Sequence, residues 1–200
     1  MRAEYGIGEL INNAISVVYT KLFWKKARLI RRPFYCRGKK YVLYKDKLTI
    51  GYGCRFEALQ ENKKVQHGKI IIGENCSFGD RVHICALEEV NIGSDCLFAS
   101  NILVNDSQHG DYTINNASNP TERPNERKMI YEKIVIGNNV WLGENVVVLK
   151  GTTIGSGCVV GANSVVKGNF PDNCVIVGNP ARVVKHWDEQ TKGWKKVNCK

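Results

Sequence analysis

The sequence predicts an all-β solenoid of short stacked coils, and three regularities carry that prediction. An aliphatic residue falls at every sixth position through the C-terminal half, at Ile136, Leu142, Val148, Ile154, Val160 and Val166, with Gly137, Gly143, Gly155 and Gly161 directly after four of them. The same beat runs upstream, from Ile72 to Phe78 and from Ile92 through Phe98 to Val104. Three positions after each beat stands a residue that enters the left-handed backbone region cheaply: Gly53, Asn75, Asp95, Asn101, Asn139, Asn145, Gly151, Gly157, Asn163 and Asn169. These are the expected corners, with Arg81 the one exception. One place further the residue turns inward again and is often small, as at Cys54, Cys76, Cys96, Thr152, Cys158 and Ser164. Each hexad therefore reads as one short strand and one turn, and three hexads make a triangular coil of about 18 residues. Parallel strands stack from coil to coil, and each coil buries its aliphatic face only under its neighbours.

Ahead of the repeats, Ile7 to Val18 reads as helix, with Leu10, Ile11, Ala14, Ile15, Val17 and Val18 as its apolar set. The helix is expected to run to about Ile30 and stop before Pro33, giving a basic helical segment over residues 1–35. Repeats are expected over 36–186, and a tail over 187–200. Lys21 to Lys40 holds nine basic residues and no acid, interleaved with Phe23, Trp24, Phe34 and Tyr35. Two readings stand: a segment lying on an anionic membrane surface, or a cap on the open first coil that exposes its lysines. No nucleic-acid recognition motif accompanies the charge, so nucleic acid is not an expected partner.

The chain of 200 residues, at net charge +10, suits one globular domain. Four of its eight cysteines (Cys54, Cys76, Cys96 and Cys158) take the small inward position as compact apolar filler, and no Cys-x-x-Cys pair occurs. Free buried thiols suit a reducing cytosol. With no signal peptide and no apolar run of about 18 residues, a cytoplasmic protein without a membrane span is expected.

The beat stops after Val104 and resumes at Ile134, leaving the polar, proline-containing loop 105–133. A long insertion in a regular solenoid is usually functional, and this one carries His109. His67 is expected to be exposed, His83 to point outward from its hexad, and His186 to follow the last coil. Their spacing does not supply a zinc set, so no metal is expected.

The segments Asn105 to Gly110, Ile136 to Gly143, Val160 to Val166 and Val177 to Arg182 resemble the hexapeptide-repeat acyltransferases. Within them the chain is similar to the branch that holds galactoside and maltose acetyltransferases and the O-acetyltransferases of bacterial surface polysaccharides. The resemblance covers roughly residues 48–186. It implies a left-handed parallel β-helix with the 105–133 loop extruded, assembled as a homotrimer with acetyl-CoA lying between neighbouring helices. It makes His109 the base that takes the acceptor's proton, with Asp106, Asp111 or Glu126 to orient the ring. It places the oxyanion-binding backbone N–H at Gly143 or Glu144, the pantetheine arm along Trp141, Ala162 and Asn163, and the phosphates near Lys167, Arg182 and Lys185. Arg81 stands where the galactoside branch has an acceptor-binding Asn. With Asp106 and Met129 it forms the expected acceptor set. The implied activity is acetyl transfer to a sugar hydroxyl in lipopolysaccharide or capsule assembly. N-acetylation of an amino sugar and a non-catalytic β-helical scaffold are the alternatives.

Overall fold

The computed structural model describes residues 6–61 and 66–197. Its strands form three parallel ladders, the faces of a triangular prism. The first face stacks Ala27–Ile30, Leu48–Ile50, Ser77–Phe78, Leu97–Phe98, Trp141–Leu142, Val159–Val160 and Cys174–Gly178. The second runs from Phe34–Arg37 to Val165–Val166, and the third from Val42–Tyr44 to Asn169–Phe170. Register is strict where the beat is strict: Ile72 pairs with Ile92, Ile92 with Ile136, and Ile136 with Ile154. These side chains are at most 1 % exposed and form one continuous core.

The corners follow from backbone sterics. Asn75, Asp95, Asn101, Asn139, Asn145 and Asn163 all adopt φ between 55° and 60°, as expected of Asn and Asp. Arg81 takes the same conformation at φ 56° and holds it with a hydrogen bond from Nε to Asn101 Oδ1 of the next coil, 2.7 Å. Asn169 does not. Two residues are missing from the turn after Val166, so Asn169 opens a strand and the left-handed corner falls at Asn173, φ 56°. The small inward thiols join the coils as well as filling space. Cys54, Cys76, Cys96 and Cys158 each donate to a backbone carbonyl of the next coil at 3.1–3.2 Å. No disulfide forms among the described cysteines.

Both ends differ from expectation. The N-terminal helix spans Ile7–Phe23 and stops there, short of Ile30. Residues beyond it already form the first coil, so much of the basic stretch is strand and corner. The inward stripe of the helix is polar. Thr20 Oγ1 accepts the Ile30 N–H at 2.8 Å, Ser16 Oγ accepts the Arg32 N–H at 3.1 Å, and Asn13 Oδ1 accepts the Tyr52 hydroxyl at 3.0 Å. An open strand edge needs partners for its backbone groups, and Ser16 and Thr20 supply them, while Asn13 ties the helix to a side chain of the next coil. Trp24 plugs the core beneath, 1 % exposed, packed on Phe34 and Tyr44. At the other end the tail folds back as strands Ala181–Asp188 and Gly193–Lys196, antiparallel on the last coil. Among the described residues no helix is long and apolar enough to cross a membrane.

Asn139→Val places a β-branched residue at φ 55° and should cost about 1–2 kcal/mol, whereas Asn139→Gly should be tolerated. Urea unfolding of the two variants checks this, and equal stabilities would contradict the corner assignment.

Candidate active site

After Leu103–Asn105 on the second face, the chain leaves the ladders and forms a separate antiparallel hairpin, Ser107–His109 against Met129–Tyr131. It rejoins the prism on the third face at Ile134. Asp106 anchors this exit. Its carboxylate is fully buried and accepts the Leu87 and Glu88 N–H groups, each at 2.8 Å. Burial pushes its carboxyl up, and those N–H groups pull it back down. Its own carbonyl accepts the Glu132 N–H at 2.9 Å, tying departure to return. Glu132 pairs with the nearly buried Lys150 one coil on. Asp106 is therefore a structural clamp, buried with both carboxylate oxygens committed to backbone N–H groups.

His109 ends the outgoing strand, exposed, and Met129 sits directly across from it. The loop beyond folds on itself. Asp111 Oδ1 accepts the Thr113 N–H and hydroxyl, at 2.9 and 2.8 Å, and those bonds hold its carboxyl below the usual range. Glu126 pairs with Arg123. None of the three acids considered for orienting His109 bonds to its ring. Tyr112 fixes the backbone there instead: its hydroxyl donates to the His109 carbonyl at 2.7 Å. Arg127 donates to that hydroxyl at 3.0 Å and to the Pro120 and Glu122 carbonyls. Neither Tyr112 nor Arg127 carries a motif that would single it out in the sequence.

The expected oxyanion group can be narrowed. The Gly143 N–H donates to the Val160 carbonyl at 2.8 Å, inside the ladder, and is not available. The residue after it differs. At equivalent corners the backbone N–H is taken by a side-chain oxygen of the next coil: Glu74 by Ser94, Asp80 by Ser100, Ser94 by Asn138, Asn138 by Ser156, and Ser156 by Asp172. Above Glu144 the next coil presents Ala162, which has no such oxygen. Among the described residues no acceptor reaches the Glu144 N–H, nor that of Ala162. The Ser100 N–H, in register below Glu144, meets no acceptor among the described residues either, so three open donors line the edge between the first and second faces. Trp141 lies beside them on the first face, half exposed and flanked by the exposed Leu97. Asn163 stands on the same edge, its Oδ1 accepting from Asn145 at 3.1 Å. Arg81 is on that edge too, two coils earlier.

His109 leaves from the opposite edge of the second face, between the second and third. Lys167 also stands there, in the last coils, while Arg182 and Lys185 project from the C-terminal strand, both exposed. The chain therefore carries the imidazole and the open donors on different edges.

A second cluster is closed. Glu57, buried on the second face, takes Arg55 Nε at 3.2 Å and His83 Nε2 at 2.8 Å. Arg37 Nη1 stands 2.7 Å from its other oxygen, out of hydrogen-bond alignment. His83 Nδ1 meets Arg55 at 3.2 Å, so both ring nitrogens are engaged. Cys85 lies beside them, its thiol pushed up to about 11, by burial first and then by Asp106 and Glu57. Two guanidinium groups already neutralise the carboxylate, so the trio is a poor cation site and the thiol a poor nucleophile. His67 is stacked at 3.7 Å on Tyr41, part-buried rather than exposed.

Residues 133–168 match the bacterial transferase hexapeptide (six repeats) family. Over 195 residues the chain is 40 % identical to “Putative lipopolysaccharide biosynthesis O-acetyl transferase WbbJ” of Escherichia coli (strain K12), covering 97 % of this chain and 96 % of the relative. The chain belongs to the bacterial hexapeptide-repeat transferases. Among solved structures it is similar to galactoside acetyltransferase in complex with coenzyme A, at TM-score 0.52 and 27 % identity over 75 % of this chain and 70 % of that one. It also shares the fold of AntD, an N-acyltransferase from Bacillus cereus, in complex with dTDP and 3-hydroxybutyryl-CoA, at TM-score 0.64 and 19 % identity over 96 % and 93 % of the two chains.

Asp106→Ala strands the Leu87 and Glu88 N–H groups and should lower stability by about 1–3 kcal/mol, with Asp106→Asn milder. Denaturant unfolding measures both, and an unchanged Ala variant would contradict the clamp.

Proposed function

We propose that this protein is an acetyl-CoA-dependent O-acetyltransferase that modifies a sugar hydroxyl of a lipopolysaccharide or capsular polysaccharide precursor in the cytoplasm. The observation that carries the reading is the pairing of an anchored, exposed imidazole with an edge whose backbone donors lack their usual partners. The end-to-end similarity to the lipopolysaccharide relative supports the acceptor class. The same reading includes the family's left-handed winding of the coils.

In the reaction His109 takes the hydroxyl proton, and the alkoxide attacks the thioester carbonyl. The Glu144 N–H stabilises the oxyanion, and the CoA thiolate leaves with the proton held by His109. Imidazole suits this exchange near neutrality. An N–H already free and fixed in place pays no reorganisation cost as charge develops. Trp141, Ala162 and Asn163 line the path for pantetheine, and Lys167, Arg182 and Lys185 meet the phosphates. Arg81 and Met129 face the acceptor.

Because the two halves of the site lie on different edges, the proposed enzyme is a homotrimer in which His109 of one copy meets the Glu144 edge of the next. The exposed Leu97 and Trp141 on a flat face suit such a contact. Light scattering should give about three times the 22.5 kDa chain mass. An active monomer at micromolar concentration would refute the shared site.

Two substitutions test the chemistry. His109→Ala should lower turnover by about 100-fold or more with the fold intact. Ala162→Ser restores the cap that Ser94, Ser100 and Ser156 provide elsewhere, and should lower turnover by about 100-fold by occupying the Glu144 N–H. CoA release against a panel of sugar hydroxyl and amine acceptors reads both variants. Near-normal turnover would remove the corresponding role, and transfer to amines alone would favour N-acetylation.

A further inference from the structure

The N-terminal helix is turned inside out relative to an ordinary surface helix. Its inward stripe is Asn13, Ser16 and Thr20, committed to hydrogen bonds with the Tyr52 hydroxyl and the Arg32 and Ile30 N–H groups. Its outward stripe is Ile7, Ile11, Ile15, Val18 and Leu22, spaced by three and four residues, at 80, 56, 48, 58 and 64 % exposure. Large aliphatic side chains at this spacing form one continuous face, and nothing else among the described residues covers it.

The margin of that face is basic. Arg32 joins Ile15, Val18 and Leu22 in lining an apolar groove, its guanidinium 5.1 Å from the centre of the Tyr19 ring. Lys25 and Lys26 border the next hollow, with Leu22, Phe23 and Leu43. Lys39 lies over the Trp24 ring at 4.8 Å and donates to the Phe23 carbonyl. Lys21, Lys25, Lys26, Arg31, Arg32 and Lys39 make no ion pair among the described residues, and no acid occurs in the sequence between Glu9 and Asp46.

We propose that this stripe and its basic margin form a docking surface for an anionic lipid bilayer, with the helix lying in the interface plane. An exposed apolar face rimmed by unpaired cations matches acyl chains beneath anionic headgroups. A second copy of the chain fits less well. The helix of a second copy offers Glu9 as its one acid, too little negative charge to meet Lys21, Lys25, Lys26 and Arg32. The inference does not depend on acetyl transfer. It does give the basic end a purpose beyond capping: presenting the enzyme to an acceptor carried on lipid.

Co-sedimentation of the full chain with phosphatidylethanolamine–phosphatidylglycerol vesicles and with phosphatidylcholine vesicles, at low and high salt, tests it. Binding should be confined to the anionic vesicles and weakened by salt. Ile11→Asp with Val18→Asp should weaken binding at least about 10-fold, because solvent-facing side chains lose their apolar contact. Lys25→Gln with Lys26→Gln should weaken it about 5-fold per charge. Thermal midpoint and turnover on a soluble acceptor should stay unchanged in both. Absence of binding to anionic vesicles at low salt would overturn the proposal. So would binding untouched by the aspartate pair, which would mean simple adsorption of charge. An oligomer that falls apart with the aspartate pair, seen by light scattering, would assign the stripe to a second copy instead.

Discussion

At six corners of this prism a backbone N–H points at the coil above and is received there by a side-chain oxygen, and these caps tie one coil to the next. The receivers are Asp80, Ser94, Ser100, Asn138, Ser156 and Asp172. The residue types are dictated by reach, since Ser, Asn and Asp carry an acceptor close enough to their own backbone to cap a neighbour. Apolar stacking inside supplies most of the burial, but the caps and the left-handed corners fix the register in which it happens.

The same requirement explains the two ends and the exception. The first coil has no predecessor, so the helix is spent on it with Asn13, Ser16 and Thr20 turned inward, and its hydrocarbon is left outside. The last coil is closed by the fold-back of Ala181–Asp188. The exception is the upper part of one edge, where neither Glu144 nor Ala162 receives the N–H below it and the Ser100, Glu144 and Ala162 N–H groups stay open. This run of backbone donors left open along one edge is the feature on which the proposed chemistry rests.

Much of this was legible in the sequence, for a physical reason. A fixed period ties each residue's direction to its position, so the buried Ile72, Ile92, Ile136 and Ile154 column and the Asn corners could be read by counting. Counting failed where the period slips, and Asn169 lost its corner to Asn173. It also failed at the start. Ile30, Cys36 and Tyr44 hold the beat's three columns in the first coil, but the step from Cys36 to Tyr44 is eight residues rather than six, and helix-compatible residues over 21–30 masked the start. Tertiary demand from the strand edge then overrode both length and amphipathicity of the helix. The role of Asp106 was hidden because a carboxylate next to a candidate base reads as its partner. Only its burial against Leu87 and Glu88 reveals the clamp. The Ala162 gap was visible as a missing Ser or Asn, yet its meaning needs the register between coils.

What ties these parts together is that the imidazole and the open donors occupy different edges of one protomer, so the proposed site exists only between copies. Mixing His109→Ala and Ala162→Ser chains in one trimer tests this most directly. Each mixed trimer would contain one interface that pairs an intact His109 with an intact Glu144 edge. Randomly reassembled equal mixtures should therefore recover about a quarter of wild-type turnover, although neither parent is active. Mixed trimers as inactive as both parents would contradict a shared site.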